Sequence, residues 1–397
     1  MIIEARCVGR DREIAAILDR AAASADSVDG RRRVVVLGAA GTGNSTVLRE
    51  TLRRAAEQGL SLRIVDDADL LSGDELATAM SGDTDGFVAL AATTRTPAID
   101  ALLADTLQLN GIDRAAVDIL ASARGLAIHP SVVDSLLAHT AGNPRAMLAL
   151  FDELPSASWT QADVALPAPR KVRDDVARVL AEQHDDTRRL VEAVCILDDS
   201  EPMGTALELA DCADPLSAID NALNSGLLVA PFALTPSTTR PRPADPMTRA
   251  AVVELMGLRG VADMHRRAAE LTSDPAQQLG HRIAATPAAD PALADDVASM
   301  AESLGTDGAW AQAAELFRHA GRLTSDPILR DERITLSVDA LLAAGDCIAA
   351  GSLVPSVEIL RETPLRDATL AYLAILRGRS TEAQVRLERA WSIVNQI

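Results

Sequence analysis

Between residues 9 and 110, short apolar runs alternate with segments whose apolar positions recur every three or four residues. Residues 9–23 have that helical spacing, with Ile14, Ile17, Leu18 and Ala21 on one face. A polar linker, 24–33, leads to the β-branched run 34–37, which predicts a buried strand. Helix is predicted over 46–58 and 73–80, with a short helix at 99–104. Strands are predicted at 62–65, 87–92 and 107–109. Strands alternating with helices predict an α/β layer built on a parallel sheet.

From Asp113 onward the spacing is helical. Segments 113–125 and 129–154 predict two or three amphipathic helices, and the proline-rich 155–169 reads as a linker. In 171–260, helices flank turn-rich segments at 224–231 and 235–246, which predict the strands and wing of a winged-helix-like domain. Segments 308–326, 331–354 and 365–391 repeat a helix-pair pattern like tetratricopeptide repeats. The expected fold is therefore α/β followed by all-α. The expected partition is a nucleotide-binding domain at 1–110, a helical lid at 111–155, a winged-helix-like domain at 170–260 and helical repeats at 261–397. The repeats stop at Ile397 without a polar capping helix, so a larger parent protein is expected.

Composition narrows the functional classes. Aromatics are only 2% of the chain, so its cores rest on Ala, Leu, Val and Ile. A net charge of −19 repels phosphate backbones, so no DNA binding by this chain alone is expected. The four cysteines lack metal-ligand spacing and read as reduced thiols. With no apolar run of transmembrane length and no signal-peptide core, a soluble, cytoplasmic protein without membrane contact is expected.

The chemistry concentrates after the first strand. Gly38-Ala-Ala-Gly41-Thr42-Gly43-Asn44-Ser45-Thr46 matches a P-loop, G-x-x-x-x-G-K-[ST], except that Asn44 stands where the lysine belongs. Glycines let backbone N–H groups face phosphates, and the following helix adds its dipole. Gly38, Gly41 and Gly43 supply the turn, Thr42 and Thr46 contact phosphate, and Ser45 ligates Mg²⁺. Asn44 can donate a hydrogen bond but carries no charge. The chain's single lysine, Lys171, lies far along the sequence. Asp66 and Asp67 end an apolar strand, where carboxylates bind the Mg²⁺ shell or orient water, and Arg95 after the next strand can sense a γ-phosphate. Strand-end aspartates also occur as plain turn residues.

In this order the motifs resemble those of the large ATP-binding LuxR-type regulators, which belong to the STAND class of signal-transduction P-loop ATPases. Val8-Gly9-Arg10, with Glu13, is similar to that family's opening motif. The run from Ile64 to Leu70 resembles its Walker B motif, and 91–95 its sensor strand. Gly142-Asn143-Pro144 resembles its GNP motif, whose proline lies against the base. Residues 242–252 and the histidine segments at 264–267 and 280–281 echo its later domains. The departures are Asn44, Asp69 and Asp245 for a lysine and two histidines, a missing edge strand, and no C-terminal helix-turn-helix.

The resemblance implies an ATP or ADP switch, with Mg²⁺, that hydrolyses weakly or not at all. It also implies an inducer or protein partner on the repeats. It places nucleotide at the carboxyl end of the first strand, with Val8, Gly9, Arg10 and Pro144 near the base. Two other readings stay open: a scaffold that binds proteins but no nucleotide, and a slow hydrolase in which an arginine replaces the lysine.

Overall fold

Three consecutive valines, Val34–Val36, in the middle of a five-residue strand set the sheet. The computed structural model describes residues 7–25, 32–81, 86–102, 104–160, 165–230, 235 and 240–395. It divides into two compact units, Met1–Asp174 with Asp245–Thr248, and Asp175–Ala244 with Arg249–Ile397.

In the first unit, β1 (Arg33–Leu37), β2 (Leu62–Val65), β3 (Phe87–Ala92) and β4 (Asp105–Gln108) form a parallel sheet in the order β2-β3-β1-β4. Alternate side chains point to opposite faces. Val34, Val36, Ala89 and Ala91 pack with α1 (Asp11–Ala25) and α2 (Asn44–Glu57). Val35, Val88 and Leu90 pack with α3 (Gly73–Met80) on the other face. A sheet covered on both faces explains why β3 is apolar and buried throughout. β1 is paired on both sides, with β3 and with β4. Ser72 and Glu75 close a capping box on α3.

Three helices follow, α5 (Arg114–Ala123), α6 (Pro130–Thr140) and α7 (Pro144–Glu153), after the short α4 (Pro97–Asp100). They share a core with Val8 and the fully buried Trp159.

The second unit is helical. After α8 (Arg170–Ala181) come α9 (Asp185–Ile196), α10 (Met203–Ala210) and α11 (Pro215–Asn224). A two-stranded antiparallel ribbon follows, β5 (Leu228–Val229) with β6 (Arg242–Pro243). α12 (Pro246–Leu271) is broken at Gly257, and α13 (Pro275–Ala285) follows it. Of the remaining helices, α14 (Pro291–Thr306), α15 (Trp310–Leu323), α16 (Pro327–Ala343), α19 (Pro364–Leu376) and α20 (Ser380–Val394) each pack on the next in that order. The short α17 (Cys347–Ser352) and α18 (Val354–Glu358) lie between them in sequence. Within this unit a buried polar chain links three segments. His281 Nε2 lies 3.0 Å from Glu201 Oε1, Thr272 Oγ1 donates to Glu201 Oε2, and His265 Nδ1 meets His281 Nδ1 at 2.9 Å.

Three expectations are corrected. The helix expected at 99–104 is Pro97–Asp100, because Thr96 caps it and Pro97 suits a first helical position. The strand expected at 107–109 is Asp105–Gln108, a largely exposed edge strand whose polar residues hid its start. The expected linker 155–169 contains a 3-10 turn, Ser156–Thr160, anchored by Trp159 edge-on to Phe151 and by His129 N donating to the Trp159 carbonyl. Its residues 161–164 lie outside the described residues, as do 26–31 of the first linker, residue 231 and residues 236–239 of the expected wing at 235–246. Among the described residues no helix is long and apolar enough to cross a membrane.

Candidate functional site

The loop from Gly38 to Ser45 leaves the carboxyl end of β1, where the strand order reverses about that strand. Open α/β sheets bind ligands in such a crevice. Gly41 has φ 90° and Gly43 φ 102°, the left-handed region that glycine enters without penalty.

Each carbonyl from Gly38 to Gly43 has a protein donor. Asn44 Nδ2 donates to Gly38 O at 2.6 Å, and Thr42 Oγ1 to Ala39 O at 2.7 Å. Asn143 Nδ2 donates to Ala40 O at 2.8 Å, and Arg145 N to Gly41 O at 3.3 Å. Arg10 Nη2 donates to Thr42 O at 2.9 Å, and Val47 N to Gly43 O at 2.9 Å. Among the described residues no acceptor takes the N–H groups of Gly41, Gly43, Asn44, Ser45 or Thr46. The loop's oxygens are thus held by protein, while its donors at the start of α2 are unpaired. That polarity suits an anion.

Asn44 does more than fill the lysine position. Its amide also donates to Ala92 O at 3.1 Å, and its Oδ1 lies 3.2 Å from Thr42 Oγ1. It therefore staples the loop to the end of β3. Arg10 is buried and bridges Thr42 O and Asn110 O, with Glu13 at 3.2 Å. This joins the start of α1 to the loop and to the end of β4.

The helical segment closes on the loop through Asn143, which also caps α7 by accepting from Arg145 N and Ala146 N. Gly111 and Gly142 allow a close backbone crossing beneath it. A methyl on Gly111 would collide with the Ala141 carbonyl, and Ile112 N donates to Gly142 O at 2.8 Å. Pro144 takes the first position of α7, where its missing N–H is harmless. Val8 packs in the core of α5–α7, and Gly9 abuts Ala116.

Ser45 Oγ donates to Asp66 Oδ1 at 3.0 Å. Asp66 Oδ1 also accepts from the N–H of Asp67, which sits in the left-handed region with φ 48°. Asp69 Oδ2 accepts from the N–H and hydroxyl groups of Thr93 and Thr94. Burial alone would raise its carboxyl, but these hydrogen bonds outweigh it and hold the group below the usual range. Arg95 is exposed and pairs with Asp100 at 2.9 Å. Asp245 accepts from Thr248 N at 2.9 Å as a local cap, and Asp245–Thr248 group with the first unit.

The structure thus brings Arg10, the loop and the Gly142–Pro144 turn together, and sets Asp66 beside Ser45. Sequence reasoning expected Gly142–Pro144 near the loop but gave Asn143 and Arg145 no contact of their own with it. An asparagine followed by proline announces a helix start, but not what its free amide hydrogen will meet.

No family model matches the sequence, and no curated protein matches it. Among solved structures, one similar chain is a Signal Transduction ATPase with Numerous Domains carrying a tetratricopeptide repeat sensor, from Pyrococcus horikoshii. The identity is 13%, the TM-score 0.30, and the match covers 98% of this chain and 64% of that one. A score this low establishes no shared fold. This chain spans less than two thirds of that protein.

Proposed function

We propose that the loop binds the phosphates of ATP or ADP and that the protein is a STAND-type regulatory switch rather than an efficient ATPase. One observation carries the reading: loop carbonyls tied to protein donors, and the N–H groups of Gly41 and Gly43–Thr46 left unpaired among the described residues. Thr42 and Gly38 complete the turn. Ser45 and Asp66 fit Mg²⁺. They offer a hydroxyl and a carboxylate, hard oxygen donors, and Mg²⁺ needs only one or two such protein ligands beside phosphates and water.

Asp66 and Asp67 are the candidates to orient water. Turnover is expected to be slow, because charge neutralisation dominates phosphoryl transfer and Asn44 supplies none. In this reading α5–α7 form a lid, α9–α11 with the ribbon form a winged-helix-like module, and α14–α20 form tetratricopeptide-like repeats for an inducer or protein partner. Nucleotide and partner then bias one conformational equilibrium reciprocally. The LuxR-type identity remains part of this proposal.

The scaffold alternative draws on Asn44 itself, whose amide is spent on Gly38 O and Ala92 O. Calorimetric titration with ATP and ADP separates the two. Saturable binding that Ser45→Ala and Asp66→Ala weaken only when Mg²⁺ is present supports the switch. No binding supports the scaffold.

A further inference from the structure

The loop carries no cation, yet an arginine stands on it. Arg145 N donates to Gly41 O at 3.3 Å, and a methyl built on Gly41 would lie 3.0 Å from Arg145 Cβ. The Arg145 side chain therefore starts at the rim of the cradle. It is exposed, and no hydrogen bond or ion pair engages its guanidinium among the described residues. The other arginines around the loop are occupied. Arg10 is buried on Thr42 O, Asn110 O and Glu13; Arg95 pairs with Asp100; Arg49 Nε donates to Ser45 O.

The position also runs against local electrostatics. Arg145 lies in the first turn of α7, where the helix dipole disfavours a cation. A residue that breaks a local rule calls for a gain elsewhere. A bound anion in the cradle provides it. A guanidinium matches phosphate geometry in two-pronged fashion, which an uncharged amide cannot do.

We propose that Arg145 replaces the missing P-loop lysine, reaching from the helical segment to the phosphates of a bound nucleoside di- or triphosphate. This rests on the nucleotide reading above. Because the charge comes from α7 and not from the loop, the phosphates also hold Asn143 and Arg145 against Ala40 and Gly41. Nucleotide binding and docking of the helical segment become one event.

The test is calorimetric titration of ATP and ADP with Mg²⁺ into the full chain and into Arg145→Ala and Arg145→Lys, at several salt concentrations. The expected result is affinity at least about tenfold weaker in Arg145→Ala, with a shallower salt dependence, and partial recovery in Arg145→Lys. A merely structural role would not change the salt dependence. If the native chain binds ATP and Arg145→Ala matches it, or weakens with unchanged salt dependence, the Arg145 assignment fails and the nucleotide reading stands. If the native chain binds neither nucleotide, both fail together.

Discussion

The side-chain amide of Asn143 donates to the Ala40 carbonyl at 2.8 Å, joining residues 103 apart in sequence. The other end of the same amide caps α7. Asn143→Ala removes both contacts while leaving every glycine of the loop in place. Loss of a cap of this type destabilises by about 1 kcal/mol, and loss of the Ala40 bond by about another 1 kcal/mol. Urea unfolding should show the sum, and ATP affinity should fall with it. A variant as stable as the native chain would mean that the helical segment does not brace the loop.

Asn44 allows two substitutions with opposite expected effects. Asn44→Leu leaves the Gly38 carbonyl without its donor, at a cost of about 1–3 kcal/mol. Asn44→Lys can still donate to that carbonyl and adds a full charge. ATP affinity is expected to rise roughly tenfold to a hundredfold. Unfolding and titration of both variants check this. If Asn44→Lys binds ATP no better, the side chain at position 44 does not reach the phosphates.

Gly41 and Gly43 separate backbone strain from crowding. Both have positive φ, so alanine at either is strained by about 1–3 kcal/mol. A Cβ on Gly43 meets nothing within 4 Å, whereas one on Gly41 lies 2.7 Å from Asn143 Oδ1. Gly41→Ala should therefore be the more destabilising of the two. It should also increase amide hydrogen exchange at the start of α7, where Gly43→Ala should not. Equal exchange in the two variants would count against the Asn143 contact.

Much of the first unit could be read from side-chain pattern alone. β2, α3 and β3 coincide with the expected 62–65, 73–80 and 87–92, because their apolar runs end at capping or turn residues. β4 was misplaced because Asp105 and Thr106 face solvent on an edge and carry no alternation. Trp159 looked like linker because a single buried aromatic among prolines has no period to betray it. At the loop, the glycines and hydroxyls were legible as local motif. The carbonyl partners were not: Asn143 and Arg145 reach the loop beside the chain crossing at Gly111 and Gly142, and Arg10 from the start of α1, contacts that only the tertiary fold creates.

His265 gives the second unit a pH-dependent contribution. Burial, and next the proximity of His281, push its imidazole from 6.5 down to about 4, while Glu201 opposes the shift. Between those values the unfolded chain holds a proton that the folded chain excludes, so stability rises with pH. The contribution is complete above 6.5 and is lost as pH falls towards 4. Unfolding free energies of the native chain and of His265→Gln should diverge across that window, the native chain losing more on acidification. Parallel pH profiles would remove His265 from the account.

The central claim is that the cradle after β1 holds a nucleotide's phosphates. Titrating the full chain with ATP and ADP in Mg²⁺, against adenosine under matched conditions, tests it most directly. The account predicts saturable binding of one ATP or ADP per chain and much weaker binding of adenosine, because the unpaired N–H groups of Gly41 and Gly43–Thr46 recognise phosphate. Absence of ATP and ADP binding, or equal affinity for adenosine, would contradict it.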